Sequence, residues 1–145
     1  MRDLDQQKAL SIVCHASVFL SSAIVSIVIP IAILAASANP IVRRNAKESI
    51  NFQISLFAYV IITVIAGFIG IMLFGLFVED PIIHLNFPDS VALLIYGFAL
   101  IIIAVAGFFF VLLWLASLIL PLFAIAQVAK RPDLPYRYPF IFRLL

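Results

Sequence analysis

The chain has 145 residues, one domain's worth, of which 66% are hydrophobic and 11% charged. Soluble domains run near roughly 45–50% apolar and roughly 25% charged, so a soluble fold of this length has no interior large enough for the apolar surface, and lipid must cover the remainder. The net charge is +2, and every Lys and Arg flanks an apolar run (Arg2 and Lys8; Arg43, Arg44 and Lys47; Lys130, Arg131, Arg137 and Arg143), which excludes the basic, aromatic-studded face of a nucleic-acid binder.

The first apolar run is Ile12–Ala38. Asp3 and Asp5 spoil the basic start of a signal peptide, and the run continues past a normal h-region. Cys14 is the single cysteine, so no internal disulfide forms. Val13 before it is too bulky for a lipoprotein processing site. On one continuous helix Ser11, His15, Ser22 and Ser26 fall in a single stripe. That stripe either lines a polar path or metal site, or packs helices closely through small hydroxyls with His15 hydrogen-bonded between them. We favour the packing reading. Pro30 divides the run, which is either one straight span, with Arg2 and Lys8 on the outside, or a hairpin of two shallow halves folded back near Pro30, with all nine cations inside; the hairpin is the favoured reading.

Asn39-Pro40 is one candidate helix start, and Asn45 with Glu48 three residues later is another, of capping-box type. From there the pattern predicts an interfacial amphipathic helix over about 41–55. Arg44, Lys47, Glu48, Asn51 and Ser55 share one side, and Ala46, Ile50, Ile54 and Phe57 the other. Glu48, Asn51 and Gln53 sit where this helix enters the bilayer, and Arg44 or an arginine of the tail is a ready partner for Glu48. The reading is a structural clamp, with substrate or ion contact as the alternative.

The second run, 56–78, has Ala66 and Gly70 as a small-xxx-small pair, with Gly67 and Gly75 adding smooth surface for packing or dimer formation. An acidic loop, Glu79–Ser90, follows. The third run, 91–129, contains Pro121, where a kink is expected. Tyr96 and Trp114 within it are separated by about 27 Å of helix, close to hydrocarbon thickness. The tail, 132–145, interleaves Tyr and Arg with Phe and Leu and reads as an interfacial segment. Each run reaches the ~20 residues of a spanning helix, and the absence of alternation excludes a barrel. The expected architecture is an all-α membrane protein, a single domain with a bundle of three to four transmembrane helices.

The string Arg44-Asn45-Ala46-Lys47-Glu48-Ser49-Ile50-Asn51-Phe52-Gln53 resembles a hallmark of an uncharacterised bacterial membrane family. That family is related to the twenty-kilodalton component of the chloroplast inner-envelope import (Tic) translocon. Cys14-His15-Ala16-Ser17 and Tyr136-Arg137-Tyr138-Pro139 resemble further family features. The resemblance implies a polytopic inner-membrane protein (thylakoid or plasma membrane in a cyanobacterium) with both ends on one side, and a role in protein translocation or biogenesis.

Positive charge stays cytoplasmic in short loops, which places the tail inside and the Glu79–Ser90 loop outside. No zinc-type His-Glu-x-x-His, phosphate-binding glycine loop or nucleophile elbow occurs, so neither an enzyme nor a cofactor is expected. The partners expected are the lipid bilayer and other membrane proteins or a second copy, with no nucleic acid. An accessory or assembly subunit is the favoured function, and a homo-oligomeric channel or transporter the alternative. Candidate interaction residues are His15, Arg44, Glu48, Asn51, Gln53, Tyr136, Arg137 and Tyr138.

Overall fold

The computed structural model describes residues 2–20, 23–78 and 89–145. Among these residues four α-helices follow in order: α1 (Arg2–Ala16), α2 (Ala23–Ala36), α3 (Pro40–Val78) and α4 (Asp89–Lys130), with a 3₁₀ turn, Ser17–Phe19, after α1. No strand occurs among the described residues. Most of the acidic loop, 79–88, and Ser22 of the proposed stripe lie outside the described residues.

Among the described residues, only α3 and α4 are long and apolar enough to cross a membrane. Their apolar windows are 6% and 11% buried, so these are not core helices of a soluble protein. Burial is inverted more generally. Ser11, His15, Asn45, Ser49, Asn51 and Ser55 are buried, while Ile62, Phe68, Phe98, Phe108 and Phe123 are exposed. Water would reverse that distribution. Against the expected three to four spans, two helices among the described residues qualify by length and composition. The 14 residues of α2 reach about 21 Å, short of the ~30 Å hydrocarbon core.

α1 ends at Ala16, before the Ser17–Phe19 turn, and Pro30 does not end a helix, so Ser11 and His15 do not share a helix with Ser26. Pro30 lies inside α2 and is buried. Having no N–H, it leaves the carbonyl of Ser26, four residues back, without its helical donor. Gln53 of α3 supplies one: its Nε2 donates to the Ser26 carbonyl at 3.2 Å, and its Oε1 accepts from Ser26 Oγ at 2.9 Å. A tertiary side chain thus repairs the defect that local reasoning takes as a break. Gln53→Leu should cost about 2 kcal/mol, the scale of one orphaned buried acceptor. In a Pro30→Ala background, where the helix donates for itself, the cost should shrink markedly. A double-mutant cycle of denaturation in detergent reads this, and equal costs in the two backgrounds would refute the repair.

The helix start at Asn39-Pro40 is the one used. Asn39 Oδ1 accepts the N–H groups of Ile41 and Val42 at 2.9 and 3.3 Å, a side-chain N-cap. Asn45 is consequently interior to α3, and no separate interfacial helix precedes the span. Arg43 turns back to donate to the carbonyls of Leu34 and Ser37 at 2.7 and 3.3 Å, closing the C-terminal end of α2. At the other end of the chain, α4 runs through Pro121 to Lys130.

The contacts divide the chain into two compact units, Met1–Phe57 with Leu115–Leu145, and Ala58–Trp114. The second is an antiparallel hairpin of α3 and α4. Its α3 part, Ala58–Val78, covers about 31 Å, one hydrocarbon thickness. Phe74 packs on Tyr96 with ring centroids 4.9 Å apart. The closest approach is at Gly70, where an added Cβ would lie 2.9 Å from Ile103 Cγ1 and 3.0 Å from Ile102 Cγ2. Gly75 faces open space. The small residues therefore serve this hairpin at Gly70. Gly70→Leu should destabilise by about 1–3 kcal/mol through overpacking, while Gly75→Leu should be nearly neutral. Thermal unfolding of the two variants in the same detergent decides.

Candidate functional site: a polar clamp on the C-terminal tail

The first unit holds an apolar cluster of Phe52, Ala124, Val128, Tyr136 and Tyr138, with Ile12, Leu56, Leu120 and Ile141 against it. Phe52 and Tyr138 stack with centroids 4.3 Å apart. Two residues of the tail are thus core residues, not interfacial ones. An extended segment can be buried only if its backbone N–H groups find acceptors, and α3 provides them along one helix. Asn45 Oδ1 accepts from Tyr136 N–H (2.9 Å) and Glu48 Oε2 from Tyr138 N–H (3.3 Å). Ser55 Oγ accepts from Phe142 N–H (2.8 Å), and Asn51 Oδ1 from Leu144 and Leu145 N–H (3.1 and 3.3 Å). The order along α3, 45–48–55–51, shows that the tail runs forward and then doubles back. Phe140 takes the left-handed φ of 55° on the way forward, and the reversal falls between Phe142, held at Ser55, and Leu144, held at Asn51. Arg143 closes the loop: Nε meets Glu48 Oε1 at 3.3 Å and Nη2 donates to the Tyr138 carbonyl at 3.2 Å.

Beneath the tail lies a buried hydrogen-bond chain. Asn45 Oδ1 takes the Tyr136 N–H, an obligatory donor, so the atom there is the oxygen. It also meets His15 Nε2 at 3.2 Å, and an oxygen can only accept, so Nε2 carries the proton. His15 Nδ1 is then bare and accepts from Tyr138 OH at 3.0 Å. Asn45 Nδ2 donates to Ser11 Oγ at 3.1 Å. The neutral tautomer of His15 is fixed by this logic. Burial pushes its pKa down to about 4, against a smaller upward pull from Asn45. Burial likewise raises Tyr138 and takes Cys14 to about 12, so both keep their protons. The Cys14 carbonyl accepts from Ser49 Oγ (2.6 Å) and Ser17 Oγ (2.8 Å). Gln7 Nε2 donates to the Pro132 carbonyl, and its Oε1 accepts from Asn39 Nδ2 at 2.9 Å. Through Gln7, the start of α3 and the turn after α4 are tied to α1.

The clamp brings together His15, Glu48, Asn51, Gln53, Tyr136 and Tyr138. Arg44 and Arg137 are exposed and outside it, so the Glu48 partner is the tail's Arg143 and not Arg44. Asn45 and Ser49 carry more of the clamp than sequence reasoning assigned them. The signal for them was the spacing Val42-Asn45-Ser49-Phe52, one helical face free of charge. The amphipathic reading of α3 also needs correction. Ala46 and Ile50 are buried beside Asn45 and Ser49, because the partners covering this face, α1 and the tail, are themselves mixed. Among the described residues no group of His, Cys, Asp or Glu could hold a metal.

No curated protein and no solved structure matches the chain. A family model does, over residues 6–145, and it describes the MamF/MmsF magnetosome magnetite crystal formation proteins. The Tic resemblance is thereby overturned. The strings that suggested it, Asn51-Phe52-Gln53 and Tyr136-Arg137-Tyr138-Pro139, build the clamp, and that packing task says nothing of protein import. With nearly its whole length matched, the chain belongs to the MamF/MmsF magnetosome magnetite crystal formation family.

Proposed function

We propose that the chain is an integral protein of the magnetosome membrane that supports magnetite crystal formation as an assembly component, without catalysis of its own. The observation that carries this reading is the self-sufficiency of the clamp. Every fully buried side-chain nitrogen and oxygen among the described residues already has a hydrogen-bond partner. The buried polar groups are engaged in holding the chain together, which suits a stable membrane part better than a site awaiting a substrate.

In this reading α3 and α4 cross the bilayer, and α1 and α2 form a shallow element that returns to the side it came from. Charge supports the orientation. All nine Lys and Arg belong to the unit Met1–Phe57 with Leu115–Leu145, and none to Ala58–Trp114, which carries Glu79, Asp80 and Asp89. In this orientation the Lys and Arg at the start of α3 and the end of α4 face the cytoplasm, and the start of α4 at Asp89 faces the magnetosome interior, where the crystal grows.

The test uses single cysteines at Gln6 and Ser90 in a Cys14→Ser background, on isolated intact magnetosomes treated with an impermeant maleimide. Gln6→Cys should label at once and Ser90→Cys only after detergent. Immediate labelling of Ser90→Cys, or protection of Gln6→Cys, would overturn the orientation.

A further inference from the structure

At its C-terminal end α4 changes character within two turns. Leu122 and Phe123 are exposed and apolar, and Gln127, Lys130 and Arg131 follow. The chain then turns, with Leu134 N–H donating to the Arg131 carbonyl at 3.2 Å, and comes back as Tyr136. Between these elements lies a cleft of about 460 Å³ lined by Phe123, Ala126, Gln127, Lys130, Arg131 and Tyr136. That volume falls within the ~300–1,000 Å³ of small-molecule sites.

The lining is chemically divided. Phe123 and Ala126 form an apolar wall. Gln127, Lys130 and Arg131 supply donors and two positive charges. Neither cation has an acidic partner among the described residues, where the ion pair is Arg143 with Glu48; Asp133, the nearest acid in sequence, pairs with neither. Tyr136 is 9% exposed. Its hydroxyl has no partner among the described residues, and no fully buried side-chain oxygen is left unpartnered, so the hydroxyl reaches the surface. An unsatisfied hydroxyl beside two unpaired cations and an apolar wall is complementary to an anion that carries a hydrocarbon chain.

We infer that this cleft binds the headgroup of an anionic phospholipid, with Lys130 and Arg131 on the phosphodiester, Tyr136 and Gln127 as hydrogen-bonding neighbours, and Phe123 and Ala126 along the first acyl methylenes. Basic pockets at the cytoplasmic ends of membrane helices recognise such headgroups. If the two cations merely complemented the negative end of the α4 dipole, the Tyr136 hydroxyl and the apolar wall would be left without a role. The inference rests on the reading of α4 as a membrane span.

The test uses the full chain purified in a nonionic detergent. Thermal stability and lipid retention in native mass spectrometry are followed with phosphatidylglycerol, with phosphatidylcholine of the same acyl chains, and with inorganic phosphate. Phosphatidylglycerol should stabilise the protein and remain bound. Lys130→Gln with Arg131→Gln should weaken that binding about thirty-fold. Tyr136→Phe, which keeps the buried ring, should weaken it a few-fold. The charge-matched control, Arg44→Gln with Lys47→Gln, should leave it nearly unchanged.

Equal loss in the control would mean diffuse charge attraction and overturn the site. Equal stabilisation by inorganic phosphate would overturn the lipid assignment, as would equal binding of phosphatidylcholine. Extraction of the chain from membranes by alkaline carbonate would sink the span reading instead. Retention in the membrane with no phosphatidylglycerol preference would sink this inference alone.

Discussion

Asn45→Ala should lower the unfolding free energy of the detergent-solubilised protein by about 3–5 kcal/mol, the largest effect expected of a single substitution here. Asn45 is fully buried and holds three groups at once: His15 Nε2–H, Tyr136 N–H and Ser11 Oγ. Truncation leaves two donors facing an empty space without water of their own. Each orphaned buried donor costs roughly 1–3 kcal/mol, and the tail anchored at Tyr136 loses its first tie to α3. Arg44→Ala, one residue away but exposed, should change stability by no more than about 0.5 kcal/mol. Chemical denaturation of both variants decides the matter. A loss under about 1 kcal/mol for Asn45→Ala would mean that the clamp is not what holds the tail. Limited proteolysis gives a second readout, since cleavage after Arg137 should accelerate in Asn45→Ala if the tail is released.

The features legible in the sequence were those decided locally or by composition. The long apolar stretches of α3 and α4 follow from composition, which needs no partner to be recognised. Asn39 as the cap of α3 follows from a side chain two residues from the N–H groups it satisfies. Pro30 shows the limit. Within α2 it looks like a break, and only Gln53, 23 residues on, removes the reason for one. Asn45 shows the same limit more sharply: its partner Tyr136 is 91 residues away, whereas its spacing from Glu48 is local and suggests a helix cap instead. The burial of Tyr136 and Tyr138 in the tail was hidden for a related reason. Alternating Tyr, Arg and Phe suits a headgroup layer, and nothing local reveals that α3 carries acceptors spaced for the tail's backbone. The clamp residues stand out in the sequence as polar groups in need of partners. Which partner each one takes is a property of the folded chain.

The inverted interior bears on how the clamp and the spans depend on each other. Where lipid covers the outside, apolar burial contributes little to holding helices together, because lipid tails are as apolar as the side chains they replace. Specific polar contacts then carry a larger share of the tertiary structure. The edge-to-face packing of His15, Tyr136 and Tyr138, with ring centroids 4.9–5.9 Å apart, and the hydrogen bond between His15 and Tyr138 are such contacts. A substitution in the clamp should therefore be felt more than an equal loss of area on the exposed face of α4, for instance at Phe108.

The clamp should also make stability depend on pH, with a sign set by His15. The residue lies on α1, outside both spans, and is fully buried. Its pKa is 6.5 in the unfolded chain and about 4 in the folded one. Above pH 6.5 the ring is neutral in both states and there is no penalty. Between these values the unfolded chain takes a proton that the folded chain refuses, so stability falls as pH falls through this window and levels off below it. The loss attributable to His15 should be about 2–3 kcal/mol at about pH 4.5. The groups around the ring explain why no easy escape exists. Tyr138 OH already donates to Nδ1, Asn45 offers its one oxygen to Nε2, and Cys14 and Tyr136 are held protonated by burial. Glu48 faces the Tyr138 backbone rather than the imidazole. A second proton on His15 would point at the Tyr138 hydroxyl hydrogen and force it to turn away from its partner. The measurement is the stability difference between the wild-type chain and His15→Gln at about pH 7.5 and about pH 4.5, which cancels the carboxylates common to both. The wild-type advantage should be large at the higher pH and shrink by the stated amount at the lower. An advantage that stayed constant, or grew as the pH fell, would mean that His15 is charged in the folded protein and that the hydrogen-bond chain runs in the opposite sense.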